Sequence, residues 1–312
     1  MGTGTQTSQQ RDWGVGSKAT PPLRKTTTRG TATMTAHDSQ GLRIISWNVN
    51  GIRARMPRIA EMLRRERPDM VCLQETRCPF RHFPHRRLEQ LGYRAEHSPG
   101  RRNGGVAILV REDHRVTHRC RSLAGQHDLA QGRWLETTCA GLTLGSVYVP
   151  AGPTREELDD SGKLAFLEAV ANQACHDHYH PLLIAGDFNV APSDSDVYEP
   201  TWLEGSYQTA AAEREDLRHI LHDGELLDVY RHLHPDEHGY TCWDQRDGHY
   251  ARDYGLRIDL ALASSKLAEH ITRCEVKHAY RQGRRPSNHA PLEIELQGIG
   301  ECEDCMESAI AA

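Results

Sequence analysis

Short apolar runs that break off at a polar or glycine turn recur along this chain. Leu182-Leu-Ile-Ala185 runs into Gly186, and Asp187 and Asn189 follow on alternate positions. Such a run ended by Gly reads as a buried strand. Side chains alternate faces on an extended chain, so Asp187 and Asn189 leave the strand end in the same direction. The same layout recurs at Arg43–Trp47 before Asn48-Val-Asn50-Gly51, and at Met70–Leu73 before Gln74-Glu75. Further strands are expected at Gly105–Val110, Trp134–Thr138, Leu142–Val149, Tyr240–Trp243, Gly255–Ala263 and Ala290–Leu296. Helical spacing of apolar residues predicts helices over Pro57–Arg67, Leu158–His178 and Leu217–Leu221, and Leu226–Tyr230 forms a further apolar run. Strands outnumber helices and the helices fall between groups of strands. That pattern predicts two sheets packed face to face with helices outside.

Composition narrows the class. Of 312 residues, 38% are hydrophobic and 26% charged, with a formal charge of −5. Any nucleic-acid contact must then come from local basic patches rather than overall charge. No apolar run is long enough for a membrane helix, so no membrane partner is expected. Nine cysteines without framework spacing, and no visible secretory leader, suggest reduced thiols in a cytoplasmic protein. Cys302-Glu-Asp-Cys305 is a lone CxxC in a polar stretch and carries little weight. Residues 1–40 are rich in Thr, Gly, Ser and Gln and are expected to be a disordered tail, with Met34 an alternative start. Residues 41–297 form the expected catalytic domain, and 298–312 a flexible tail.

Polar groups sit at the ends of several predicted strands: Asn48 and Asn50, Glu75, Asp187 and Asn189, Asp259, and Asn288 with His289. One such residue is usually a turn or cap. Their recurrence matters, because strand ends on one side of a sandwich converge. A cluster of carboxylates and amides with one histidine suits Mg²⁺, with Mn²⁺ able to stand in, better than Zn²⁺.

Six segments carry a resemblance. Ile45-Ser-Trp-Asn-Val-Asn-Gly-Ile-Arg-Ala54, Leu73-Gln-Glu-Thr-Arg77, Tyr148-Val-Pro150, Gly186-Asp-Phe-Asn189, Gly255-Leu-Arg-Ile-Asp259 and Pro286-Ser-Asn-His-Ala-Pro291 resemble the exonuclease III family of AP endonucleases. That family lies within the endonuclease/exonuclease/phosphatase superfamily. The resemblance implies a DNase I-like α/β fold, a four-layered sandwich of two mixed β-sheets flanked by helices. It implies a monomer that hydrolyses the phosphodiester 5′ to abasic sites in duplex DNA and trims 3′ ends, nucleoid-associated in a bacterium. Carried over by residue, Tyr148, Asp187, Asn189, Asp259 and His289 would be catalytic. Asn48, Asn50, Glu75, Asp187, Asn189, Asn288 and His289 would form the metal site. Asp187 would activate or position water, Asn189 would stabilise the pentacovalent phosphate, and Asp259 would orient His289.

Two positions depart from the family pattern. Asn288 stands where the family usually has Asp, which removes a negative charge and adds an NH₂ donor. A catalytically weakened, lesion-binding protein is therefore one alternative, and a same-fold phosphodiesterase on another substrate is a second. Cys242 replaces a bulky aromatic in the expected wall of the abasic-sugar pocket, alongside Trp243, Leu256 and Ile258. The DNA contacts are expected from Arg77, from Arg101, Arg102 and Asn103, and from Arg281, Arg284 and Arg285.

Overall fold

A computed structural model describes residue 1 and residues 41–298 apart from 101–102, 126–130, 153–161, 178–179, 204–207 and 246–247. Most of both expected tails, Met34, Arg101, Arg102 and the Cys302/Cys305 pair lie outside the described residues. The chain begins with β1 (Leu42–Asn48), α1 (Ile52–Glu66), β2 (Met70–Gln74), α2 (His85–Glu89), β3 (Tyr93–Ser98) and β4 (Val106–Arg111). It continues through β5 (Val116–Cys120), β6 (Trp134–Cys139), β7 (Leu142–Tyr148), α3 (Lys163–Asp177) and β8 (Leu182–Asp187). Then come α4 (Pro200–Leu203), α5 (Ala211–Asp223), β9 (Leu226–Asp228), α6 (Val229–Leu233) and β10 (Cys242–Trp243). The last elements are β11 (Gly255–Leu256), β12 (Asp259–Ser264), α7 (Ser265–Ala268), β13 (Ile271–Val276) and β14 (Leu292–Leu296).

Two six-stranded sheets result, ordered β13-β14-β1-β2-β4-β3 and β5-β6-β7-β8-β12-β9, with β10 and β11 as a small separate pair. Both large sheets are mixed. In the first, β1 runs parallel to β2 and antiparallel to β14; in the second, β8 runs parallel to β7 and antiparallel to β12.

Alternation along the strands explains the layering. Ile44, Met70, Cys72 and Ile108 from one sheet meet Leu144, Leu183, Ala185 and Ala261 from the other in a central core. Their sequence neighbours Ile45, Val71 and Leu109 face outward, onto Met56, Ile59 and Leu63 of α1. Leu182, Ile184, Leu260 and Leu262 likewise meet Leu167 and Val170 of α3 and Leu217 and Ile220 of α5. Helix, sheet, sheet and helix make four layers, as expected. Both faces of the central strands are covered, so their sequences read as continuous apolar runs.

The differences from expectation have local causes. Helix α1 starts at Ile52, with Pro57 inside it, because Gly51 (φ 100°) turns the chain directly out of β1. The predicted Gly255–Ala263 strand breaks after Leu256. There Arg257 turns inward to Asp196 (Nε to Oδ1, 2.6 Å) and forks onto Asp228 (3.0 and 2.8 Å). A guanidinium that is 1% exposed needs such pairing.

Candidate active site

Strand register brings the polar ends together. Asp187 at the end of β8 pairs with Tyr148 of β7 on one side and Asp259 of β12 on the other, so three functional groups share one row. In the opposite sheet Asn48 pairs with Gln74, and Glu75 follows directly. The rows touch. Asn48 donates its amide to Asp187 Oδ2 (2.8 Å) and Glu75 Oε1 (3.1 Å), and Tyr148 donates its hydroxyl to Glu75 Oε1 (3.0 Å). Ser287 closes the third side by donating to the Asn48 carbonyl (2.7 Å), which fixes the Asn288-His289 segment against β1.

His289 is held at both ends. Its Nδ1 donates to Asp259 Oδ2 (2.7 Å), leaving Nε2 3.8 Å from Asp187 Oδ2. Burial opposes charging of this ring, but Asp259, Cys242 and Asp187 outweigh it and hold the pKa well above its ordinary value. Asp187 moves the other way for a carboxyl. Burial, reinforced by Asp259 and Glu75, pushes it up to about 7 against the pull of His289. Burial also raises the Tyr148 hydroxyl, so Tyr148 stays protonated and serves as a donor. The set therefore brings together an imidazolium, a carboxyl whose charged form burial disfavours and a phenol donor.

The backbone around the site is unusual. Asn50 (φ 47°), Glu75 (φ 49°), Arg77 (φ 46°) and Asn189 (φ 50°) all adopt the left-handed conformation. Asn tolerates this; for Glu and Arg it costs on the order of 1 kcal/mol or more each. The surroundings enforce it, since Gly51 N bonds the Glu75 carbonyl (2.8 Å) and Thr76 and Arg77 N–H groups bond the Gly105 and Gly104 carbonyls (2.9 and 3.1 Å).

A cleft of about 660 Å³ opens over these groups, lined by Asn50, Glu75, Tyr148, Asp187, Asn189 and His289 among others. Cys242, Leu256 and Ile258 form an apolar part of its wall. Trp243 does not line it. Its ring is 1% exposed, packs with Tyr240 and Ala290, and donates Nε1 to Asp253 (3.0 Å). The two departures from the family pattern touch each other, with Asn288 Nδ2 3.6 Å from Cys242 Sγ. Asn288 Oδ1 accepts from Asn50 Nδ2 (2.8 Å).

The expected metal-site residues divide. Asp187, Asp259 and His289 offer ligand atoms all within 4.8 Å of one another. Asp259 Oδ1 is buried without a hydrogen-bond partner among the described residues, and Glu75 adds a carboxylate. Oxygen donors with one imidazole fit a hard divalent cation. Asn48 uses its NH₂ on the two carboxylates and its Oδ1 on Asn50 N (3.0 Å), so it orients acids here. Asn189 is similarly engaged, with Nδ2 on the Val149 carbonyl (3.0 Å) and Oδ1 accepting from Gln208 (3.4 Å).

Of the expected DNA contacts, Arg77 pairs with Glu75, while Asn103, Arg284 and Arg285 are exposed. Arg281 is 7% exposed and stacks over Tyr250, 4.7 Å from the ring centroid, so it is not a free surface cation. Three supporting residues have no signal in the sequence. Lys163 donates to the Asn189 carbonyl (2.9 Å), Arg133 lies over the Tyr148 ring (4.8 Å), and Gln208 reaches Asn189. Each is an isolated polar residue without motif or spacing to mark it.

Similarity to known proteins agrees with this geometry. The Endonuclease/Exonuclease/phosphatase family matches residues 45–289. Exodeoxyribonuclease III of Haemophilus influenzae is 31% identical over 269 residues, which cover 82% of this chain and 100% of that protein. The DNA repair nuclease APEX1 of Danio rerio is 28% identical over 88% of this chain and 86% of its own length. Among solved structures, the 3′ phosphatase NExo from Neisseria, bound to product DNA hairpin, has a TM-score of 0.79 at 29% identity. That match covers 82% of this chain and 100% of the other. An AP endonuclease from Archaeoglobus fulgidus has a TM-score of 0.77 at 31% identity, covering 82% and 99%. The chain thus belongs to the endonuclease/exonuclease/phosphatase family, in the group that holds exonuclease III and the AP endonucleases.

Proposed function

We propose that this protein is a Mg²⁺-dependent DNA repair nuclease that cleaves the phosphodiester 5′ to abasic sites and removes 3′-terminal nucleotides or blocks. The observation that carries the reading is the Tyr148–Asp187–Asp259 row meeting Glu75 and His289. Relatives about 30% identical over their whole length include an exodeoxyribonuclease III, a 3′ phosphatase and an AP endonuclease, which supports a DNA substrate and both end and internal cleavage.

Glu75, Asp187 and Asp259 would hold the cation, with His289 and Asn288 beside it. A bound divalent cation would neutralise phosphate charge and stabilise the leaving 3′ oxygen. The chain's own groups do the rest. Asp187, facing His289 from the end of its strand, accepts the proton of the attacking water. The His289 imidazolium, fixed by Asp259, binds a phosphate oxygen through Nε2. Tyr148 keeps its proton and, turning it from Glu75, donates it in a hydrogen bond to the phosphate or the departing oxygen. Phosphoryl transfer needs positioning and charge stabilisation more than covalent chemistry, and this site supplies both. The short apolar wall of Cys242, Leu256 and Ile258 accepts a sugar that has lost its base.

The test uses four labelled substrates with Mg²⁺: an abasic duplex, an intact recessed 3′ end, a 3′-phosphorylated end and a soluble phosphoinositide. Incision or 3′ release on DNA and none on the phosphoinositide is expected. Hydrolysis of the phosphoinositide alone would overturn the reading.

A further inference from the structure

The segment Thr76-Arg-Cys-Pro-Phe-Arg-His-Phe-Pro-His-Arg-Arg87 holds four arginines and two histidines with no acidic residue, in a chain of formal charge −5. It begins one residue after Glu75. Arg81, Arg86 and Arg87 are exposed, and so is Arg53, which lies close enough to Cys78 to oppose in part the rise that burial imposes on its thiol pKa. At the centre of this basic surface, Phe80 is 59% exposed, and among the described residues only Met1 is another large apolar side chain so open to solvent.

Phe80 is exposed but not loosely held. It sits at the start of a 3₁₀ turn closed by Phe83 N on the Phe80 carbonyl (3.2 Å). Its ring lies 5.7 Å from His85 and 6.5 Å from His97, nearly parallel to the latter at 13°. Phe83 stacks on His97 at 4.0 Å, and His97 Nε2 shares a hydrogen bond with Thr76 Oγ1 (3.1 Å). A ladder of rings therefore ties Phe80 back to the residue that follows Glu75. The segment's base is locked to the start of β4 through Gly104 and Gly105.

We propose that Phe80, flanked by Arg81, is a stacking platform for an unpaired nucleotide of the DNA strand beside the scissile phosphate. The proposal rests on the DNA-nuclease reading. An exposed, pre-oriented ring among arginines suits a base face and its phosphate together. Bases inside a duplex present no free face, so the ring selects frayed, flapped or overhanging nucleotides. A ring held in place before binding loses little entropy on contact. The exposed Arg81, Arg86 and Arg87 add phosphate attraction without base preference.

The experiment compares wild type, Phe80→Ala and Phe80→Trp in EDTA, which prevents hydrolysis. Binding is measured by anisotropy on a fully paired abasic-analogue duplex and on the same duplex carrying a four-nucleotide flap next to the lesion. Phe80→Ala is expected to weaken flap-DNA binding about tenfold and paired-DNA binding by less than about twofold. Phe80→Trp is expected to restore flap binding, with its added fluorescence quenched by the flap. Equal affinity of wild type and Phe80→Ala for the flap, or equal loss on both DNAs, would overturn the platform. An exposed ring serving a protein partner would give that same null result. Wild-type incision of the paired duplex in Mg²⁺ is scored separately, so failure of the nuclease reading is told apart from failure of the platform.

Discussion

Lys163 and Glu213 form an ion pair of 2.8 Å with both side chains 1% exposed, in the layer directly behind Asn189. Lys163 also donates to the Asn189 carbonyl (2.9 Å), so the pair joins the starts of α3 and α5 to the turn after Asp187. Burial pushes Glu213 up and Lys163 down, each toward its neutral form, while the partner opposes the shift. Removing one member leaves the other charge uncompensated.

Lys163→Met is expected to lower stability by about 3–5 kcal/mol, and Lys163→Met with Glu213→Leu to recover much of it. Urea denaturation of the single and double variants measures both. The double variant, though folded, should cleave DNA more slowly because the Asn189 turn has lost its support. A fully active double variant would show that the pair only fills space.

His97 gives a pH dependence of stability. It is 1% exposed, and burial, with His85 and Arg121 nearby, drives its pKa down to about 3. The folded state thus refuses a proton that the unfolded chain takes up near pH 6.5. Stability from this group is present above pH 6.5 and is lost as pH falls toward 3. Between pH 7 and pH 5 the loss is about 2 kcal/mol. Chemical denaturation at the two pH values should show that acid loss in wild type and a smaller one in His97→Asn.

Asn288→Asp should strengthen the cation site. The acceptor oxygen for Asn50 is retained, and the lost donor to Cys242 is replaced by an acceptor that the thiol can satisfy. One more negative charge beside the carboxylates should lower the half-maximal Mg²⁺ concentration by about threefold or more. A Mg²⁺ titration of cleavage compares the two proteins. An unchanged midpoint would place residue 288 outside the cation's reach.

What could be read from the sequence was the centre of the fold. Every strand with both neighbours present in a large sheet is legible in the sequence, most of them as apolar runs because both faces are covered, although β6 and β14 carry acidic residues. The misses are edge strands. β3, β5 and β13 each border a sheet, and Val116–Cys120 has three exposed residues out of five. Polar edges discourage further pairing, and the same polarity hides them from a hydrophobic pattern. β9, the remaining edge, showed only as an unassigned apolar run. In the site, the strand-end residues were legible because chemistry and position coincide there. Lys163, Arg133 and Gln208 were not, since they reach the site from segments distant in sequence. Trp243 was misplaced because neighbours on a strand face opposite ways: Cys242 lines the cleft and Trp243 the core.

In the proposed mechanism Asp187, held between Tyr148 and Asp259 and facing His289, takes the proton of the attacking water. The direct test is single-turnover cleavage of a labelled abasic duplex in saturating Mg²⁺ by wild type and Asp187→Asn, with DNA affinity measured alongside. The predicted result is a loss of about 10³-fold or more in the cleavage rate with affinity changed by less than about tenfold. An Asp187→Asn protein that cleaves within about tenfold of wild type would contradict it.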